Sequence, residues 1–219
     1  MQENASEVLT QRERNQRDTW NAIYEAAYAF ARDEGLGAAT VEAVVARAGV
    51  SRRTFFNYFP TKEDAILGTR LPWLDQAVVD RLATAQEDEL TRTVHAFVAV
   101  LRTALTEETA VRRREIVAQH PSLRGRLGQL ITKVEELVRE AMQEAAARRE
   151  DAGDPASQEV LLMLSGVIIK HAFAQYFEGE QRAAAEHGAD MDDFLQESIA
   201  QFRRVVLATG GSGRTEAGR

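Results

Sequence analysis

The chain has 219 residues, 44% of them hydrophobic and none of them cysteine. That composition supports a real core in one large or two small domains, and it excludes wholesale disorder, a disulfide framework and cysteine-based zinc or nucleophile chemistry. The net charge is −7, and the first 70 residues carry nine basic against ten acidic side chains. Bulk charge therefore argues against a general nucleic-acid coat, and any DNA reading must rest on where single charges sit.

The opening stretch MQENASEVLTQRER lacks the basic-then-apolar order of a secretory signal and reads as a short flexible arm. Trp20, Ile23, Tyr24, Ala27 and Phe30 follow the spacing of one helix face, which Gly35 should end, with Gly37 in the loop. Thr40 is placed to cap a short helix running to Ala48, and Gly49-Val50 form a tight turn. Ser51 caps a third helix from Arg52 to Tyr58, which Pro60 stops. Thr61 caps a fourth, with Glu63 and Asp64 in its first turn and an expected inner stripe of Leu67, Leu71, Leu74 and Val78, kinked at Pro72.

Further on, Val94, Phe97, Val98, Leu101 and Leu105 mark a helix, and a shorter one spans Ala110 to Gln119. A long helix is expected from about Ser122 to Arg149. Asp154-Pro155 has the form of a cap followed by proline at the first helical position, opening a helix to about Phe177 with Gly179 past its end. Asp190 is expected to cap a last helix through about Leu207, followed by a disordered tail. No segment shows sustained strand alternation. The fold class is all-α: a three-helix N-terminal helix-turn-helix unit followed by a larger helical domain. The longest apolar run, Val160 to Ile169, falls far short of the roughly 20 residues that span a bilayer, so the expectation is a cytoplasmic protein with no membrane partner.

Val41 to Phe59 carries the most information. Val44, Ala48, Val50, Phe55 and Phe59 have the spacing to join two short helices, and Gly49 can take the positive φ that the turn needs. That packing turns Arg52, Arg53, Thr54, Phe56, Asn57 and Tyr58 toward the exposed side. Arginine can pair bidentately with guanine and asparagine with adenine, Phe56 can meet a thymine methyl, and the hydroxyls can reach phosphate. Thr40, Ser51 and Lys62 stand at helix starts, where backbone N–H groups already favour phosphate.

The run GVSRRTFFNYFPTKEDAIL, residues 49–67, resembles the signature of the TetR family of transcriptional regulators. Gly49, Val50, Ser51, Thr54, Phe55, Tyr58, Phe59, Lys62 and Glu63 match it, as do the upstream helix and Thr40-Val41. Arg53 stands where glycine is frequent and Phe56 where tyrosine is frequent; Phe56 cannot donate the phosphate hydrogen bond that tyrosine would. The resemblance implies a DNA-binding domain over residues 1–62, a ligand-binding and dimerisation domain over 63–209, and a tail over 210–219. It also implies a homodimer on pseudo-palindromic double-stranded operator DNA, acting as a repressor that a small-molecule effector releases.

Under that resemblance the dimer would use the last two helices, with Leu161, Leu164, Ile168, Phe194, Ile199, Phe202 and Val206 as interface residues and Ser165-Gly166 permitting a close crossing. A ligand pocket would draw on Phe97, Leu101, Leu105, Ile116, Leu127, Leu130, Ile131, Val134, Met163 and Phe173. A stripe of this kind equally forms plain core. Arg112, Arg113, Arg124 and Arg126 resemble the arginines of a TetR subgroup with acyl-CoA-like ligands, where they would face phosphates; a solvated helix face is the plainer alternative. No catalytic, cofactor or metal motif is present: the four histidines lack both the Glu-x-x-His and the His-Glu-x-x-His spacing. The main competing class is an enzyme, and the second alternative is a helical ligand-binding or scaffold protein that does not bind DNA.

Overall fold

The computed structural model describes residues 10–149, 154–183 and 191–210. Asp190, the arm before Thr10 and residues 211–219 of the expected tail lie outside the described residues. Ten α-helices follow in order among those described: α1 Gln11–Glu34, α2 Val41–Ala48, α3 Arg52–Tyr58, α4 Lys62–Leu67, α5 Gln76–Thr84, α6 Glu89–Ala104, α7 Ala110–Gln119, α8 Arg124–Arg148, α9 Pro155–Ala183 and α10 Met191–Gly210. Short 3-10 turns at Glu107–Thr109 and Pro121–Leu123 precede α7 and α8. Packing divides the chain into two units, residues 1–72 with 102–132 and residues 73–101 with 133–219.

The first unit is organised by α1. Thr10 and Glu13 form a reciprocal capping box at its start, and Gly35 ends it at φ +88°. Its buried face carries Trp20, Ile23, Tyr24, Ala27 and Ala31, in steps of three and four. Against these pack Val44 of α2, Phe55 and Phe59 at α3, Ile66 and Leu67 of α4, Ile116 of α7 and Leu123. Trp20 lies 5.3 Å from the Tyr24 ring and 5.4 Å from that of Phe59. Each large apolar side chain buried here contributes about 1.5–3 kcal/mol. α7 is tied to α1 by polar contacts too: the Tyr28 hydroxyl donates to Glu115 at 3.0 Å, and His120 Nε2 donates to the Ala31 carbonyl at 2.9 Å.

The fourth helix is much shorter than its apolar stripe predicted. α4 stops at Leu67 because Gly68 turns left-handed at φ +62°. Leu71 is exposed, Val78 sits on the separate helix α5, and no helix runs through Pro72. The residue at position 68 is constrained twice. Besides its φ, an added Cβ would lie 2.8 Å from the Tyr24 ring and 3.0 Å from Thr109 Cγ2.

In the second unit α9 and α10 pack along each other, with Ile168, Ile169, Leu195 and Ile199 buried. The Asp154 carboxylate caps α9, accepting from the N–H groups of Ala156 and Ser157 as its sequence predicted. α9 continues through Gly179 to Ala183, and α10 runs past Leu207 to Gly210, so both are longer than expected. A Cβ at Gly166 would meet only Glu135 Oε1, at an ordinary 3.6 Å, so no intrachain crossing demands that glycine. Arg139 holds Glu159 through two bonds of 3.1 and 3.2 Å. Burial opposes ionisation of Asp88, but hydrogen bonds from Thr91 and Arg203 outweigh it and hold the carboxyl down at about 2.

Gly68→Ala is expected to destabilise the protein by about 1–3 kcal/mol, through the left-handed backbone and the crowding against Tyr24 together. Thermal unfolding reads this directly, and an unchanged melting temperature would contradict it.

Candidate nucleic-acid interface

The caps of α2, α3 and α4 are made as the sequence required. Thr40 accepts from the Ala43 N–H at 3.1 Å, Ser51 from Thr54 at 3.0 Å and Thr61 from Asp64 at 3.2 Å. Gly49 takes φ +67° between α2 and α3. Phe55 and Phe59 are fully buried, which fixes the roll of α3. Arg52, Arg53, Phe56 and Asn57 are consequently exposed, while Thr54 and Tyr58 are half-buried. Phe56 stands edge-on to Phe55 at 5.3 Å and is 48% exposed. This is the geometry of a helix-turn-helix, a buried hinge presenting one polar helix face.

The polar side chains are not equivalent. Arg53 and Asn57 have no hydrogen-bond or ion-pair partner among the described residues, whereas Arg52 is paired with Glu42 on α2. The Ser51 and Thr54 hydroxyls share a bond of 2.8 Å. Lys62 donates to the Leu36 carbonyl at 2.9 Å, which holds its ammonium against the loop after α1 and leaves two N–H donors. The Glu42 and Leu36 contacts had no sequence signal, since partners ten and twenty-six residues apart share no motif.

Asp64, on the first turn of α4, is a further positioning group. Asp64 is 7% exposed. It accepts from the Thr61 N–H at 3.1 Å, the Thr61 hydroxyl at 2.8 Å and the Thr69 hydroxyl at 3.1 Å. Arg126, from the start of α8, completes the set with two parallel bonds of 2.8 and 2.5 Å. Arg126, one of the arginines expected to face ligand phosphates, thereby clamps the helix that carries Lys62.

The other residues of the expected ligand site divide between the two units. Leu105, Ile116, Leu127, Leu130 and Ile131 belong to the first unit, and Phe97, Leu101, Val134, Met163 and Phe173 to the second. Phe97, Leu101, Ile116 and Val134 are buried core, whereas Met163 is 64% exposed. Arg112 pairs with Glu25 and lies 5.4 Å from the centre of the Tyr28 ring. Arg113 is buried and donates to the Thr106 carbonyl at 2.9 Å; burial pushes its pKa down to about 10. Arg124 is exposed.

Residues 23–67 match the family model described as bacterial regulatory proteins, tetR family. The match runs from the middle of α1 to the last residue of α4, covering the helix-turn-helix and well under half of the chain. Comparison with curated proteins found no match. The N-terminal helices therefore carry a TetR-type DNA-binding domain, which supports a TetR-type transcriptional regulator. Among the described residues no helix is long and apolar enough to cross a membrane.

Arg126→Ala strips a nearly buried carboxylate of its charged partner and is expected to cost about 2–3 kcal/mol. In a double-mutant cycle with Asp64→Asn, the paired change should cost less than the sum of the single ones. Additive effects in thermal unfolding would show that the clamp is not energetically coupled.

Proposed function

We propose that the protein is a TetR-type repressor, a cytoplasmic homodimer that binds a pseudo-palindromic operator and leaves it when an effector binds. The observation that carries this reading is the exposed face of α3. Arg52, Arg53, Phe56 and Asn57 face outward from a helix whose opposite side is anchored by Phe55 and Phe59. Arg53 and Asn57 supply direct base readout. Glu42 neutralises Arg52 until DNA competes for it, so Arg52 contributes less than Arg53. Lys62, Thr40 and Tyr58 position the backbone, and such contacts carry no sequence information.

Support for the dimer comes from the outer face of α9. Val160, Met163 and Val167 are 53%, 64% and 60% exposed, at i, i+3 and i+7. On α10, Val206 is 48% exposed. Of the expected interface residues, Ile168 and Ile199 are 2% exposed and serve the intrachain core; Leu161, Leu164, Phe194 and Phe202 are half-buried. The interface proposed here therefore centres on Val160, Met163 and Val167, with Val206 at its edge.

Release requires an effector that binds the DNA-incompetent state more tightly, and DNA must weaken the effector by the same factor. An uninterrupted fourth helix from Lys62 to Leu74 does not exist to transmit effector binding to α3, because α4 ends at Leu67 with Gly68 as its cap. The Arg126–Asp64 clamp links α8 to the α4 start, and its rearrangement would shift Lys62 and α3 together. An acyl-CoA-like effector is tested by titrating the operator complex with acyl-CoA, free fatty acid and CoA. Release by fatty acid alone removes any phosphate role for Arg124.

Two further outcomes follow. In an electrophoretic shift assay on the promoter beside its own gene, Arg53→Ala and Asn57→Ala should each lose about 1–3 kcal/mol and relax the base preference. Lys62→Ala should weaken all sequences alike and flatten the salt dependence; a changed base preference with an intact salt slope would reverse the assignment. Met163→Glu should yield a folded monomer in sedimentation, whereas Ile168→Glu should unfold the chain by burying a charge. A monomeric unaltered protein at micromolar concentration contradicts the dimer.

A further inference from the structure

Phe56 has no part in the readout proposed for Arg53 and Asn57, yet it stands on the same surface. On α3 the side chains of Arg52, Arg53, Phe56 and Asn57 are all exposed. With about 3.6 residues per turn, Phe56 falls between Arg52 and Arg53 in projection, one turn further along the helix. Its ring is 48% exposed, and the anchoring of α3 does not depend on it, because Phe55 and Phe59 are fully buried. Leaving so much apolar surface in water is unfavourable, and covering it on binding recovers that free energy.

The ring is also held in place. It stands edge-on to Phe55, with centroids 5.3 Å apart and an interplanar angle of 83°, a favourable aromatic geometry. Phe55 in turn is fixed in the core that α1 organises. One side of Phe56 is therefore packed and the other is open, a preorganised apolar surface set among side chains that hydrogen-bond.

We propose that Phe56 is a specificity-determining residue that reads the 5-methyl group of a pyrimidine in the major groove. The phenyl ring carries no donor or acceptor, so it has nothing to offer a phosphate or the polar edge of a base. The thymine methyl is the apolar group that base pairs display in the major groove. Phe56 thus adds a distinction that arginine and asparagine do not make, thymine against a pyrimidine that lacks the methyl. A cytosine methylated at C5 presents the same group, so the contact also makes binding sensitive to DNA methylation at that position. The inference rests on the DNA-binding role proposed for α3.

The test uses duplexes that the full chain selects from a randomised DNA pool, resynthesised with deoxyuridine in place of each thymidine in turn. Uracil pairs as thymine does and differs only by the missing methyl. At one position of each half-site the exchange should weaken binding about fourfold per methyl removed, the loss that burial of one such group implies. With cytosine placed at those positions, 5-methylcytosine should bind more tightly than cytosine by a similar factor. Phe56→Ala should bind the thymine and uracil duplexes alike, whereas Phe56→Tyr retains the ring and should retain the preference. Circular dichroism melting establishes that each variant is folded, and Phe56→Gln replaces the alanine variant if that one is not. Uracil tolerated at every position by the unaltered chain, or a uracil penalty that persists unchanged in a folded variant lacking the ring, overturns the proposal and leaves the DNA-binding role standing. Failure to select any duplex overturns that role, and this inference with it.

Discussion

Asp64 is the residue on which the first unit turns. A carboxylate this far from water needs its acceptor sites filled, and four donor groups from three residues fill them: the Thr61 backbone and hydroxyl, the Thr69 hydroxyl and the Arg126 guanidinium. One group thus starts α4, holds the residue after Gly68 and receives α8. The Gly68 turn, wedged between Tyr24 and Thr109, fixes the other end of α4 against α1 and the approach to α7. A six-residue helix has little intrinsic stability. Its orientation comes from these two end contacts and from burial of Ala65, Ile66 and Leu67.

That dependence carries through to the exposed surface of α3, the proposed DNA contact. The face of α3 is defined by what cannot rotate: Phe55 and Phe59 are buried against Trp20 and its neighbours, so the positions between them must point outward. Electrostatics is arranged on the same small scale. The acids and bases of the N-terminal region nearly cancel, yet Arg53 stands without an acidic partner while Arg52 is shared with Glu42. Under the proposed DNA-binding role, local placement more than net charge is what would let this surface meet phosphate and base edges.

The second unit follows a different economy. Residues 160–169 of α9 are apolar nearly all round, so α10 can cover only part of them; Ile168 and Ile169 go inward while Val160, Met163 and Val167 stay in water.

Local signals determined the elements of this protein. Thr40, Ser51, Thr61 and Asp154 announced helix starts because a capping hydroxyl or carboxylate acts within three residues, and Gly35 and Gly49 announced stops because φ is a local property. The spacing of Val44, Phe55 and Phe59 likewise gave away the helix-turn-helix and its outward face. Periodicity alone misread α4, since Leu71, Leu74 and Val78 continue an apolar pattern that Gly68 interrupts. Only the tertiary structure decided which partners meet at long range: Arg126 with Asp64 and Arg52 with Glu42, with Met163 left on an exposed face. Residues 102–132 likewise join the N-terminal helices in one unit. Such pairings depend on distance in space and on burial, and neither is written in the spacing of residues along the chain.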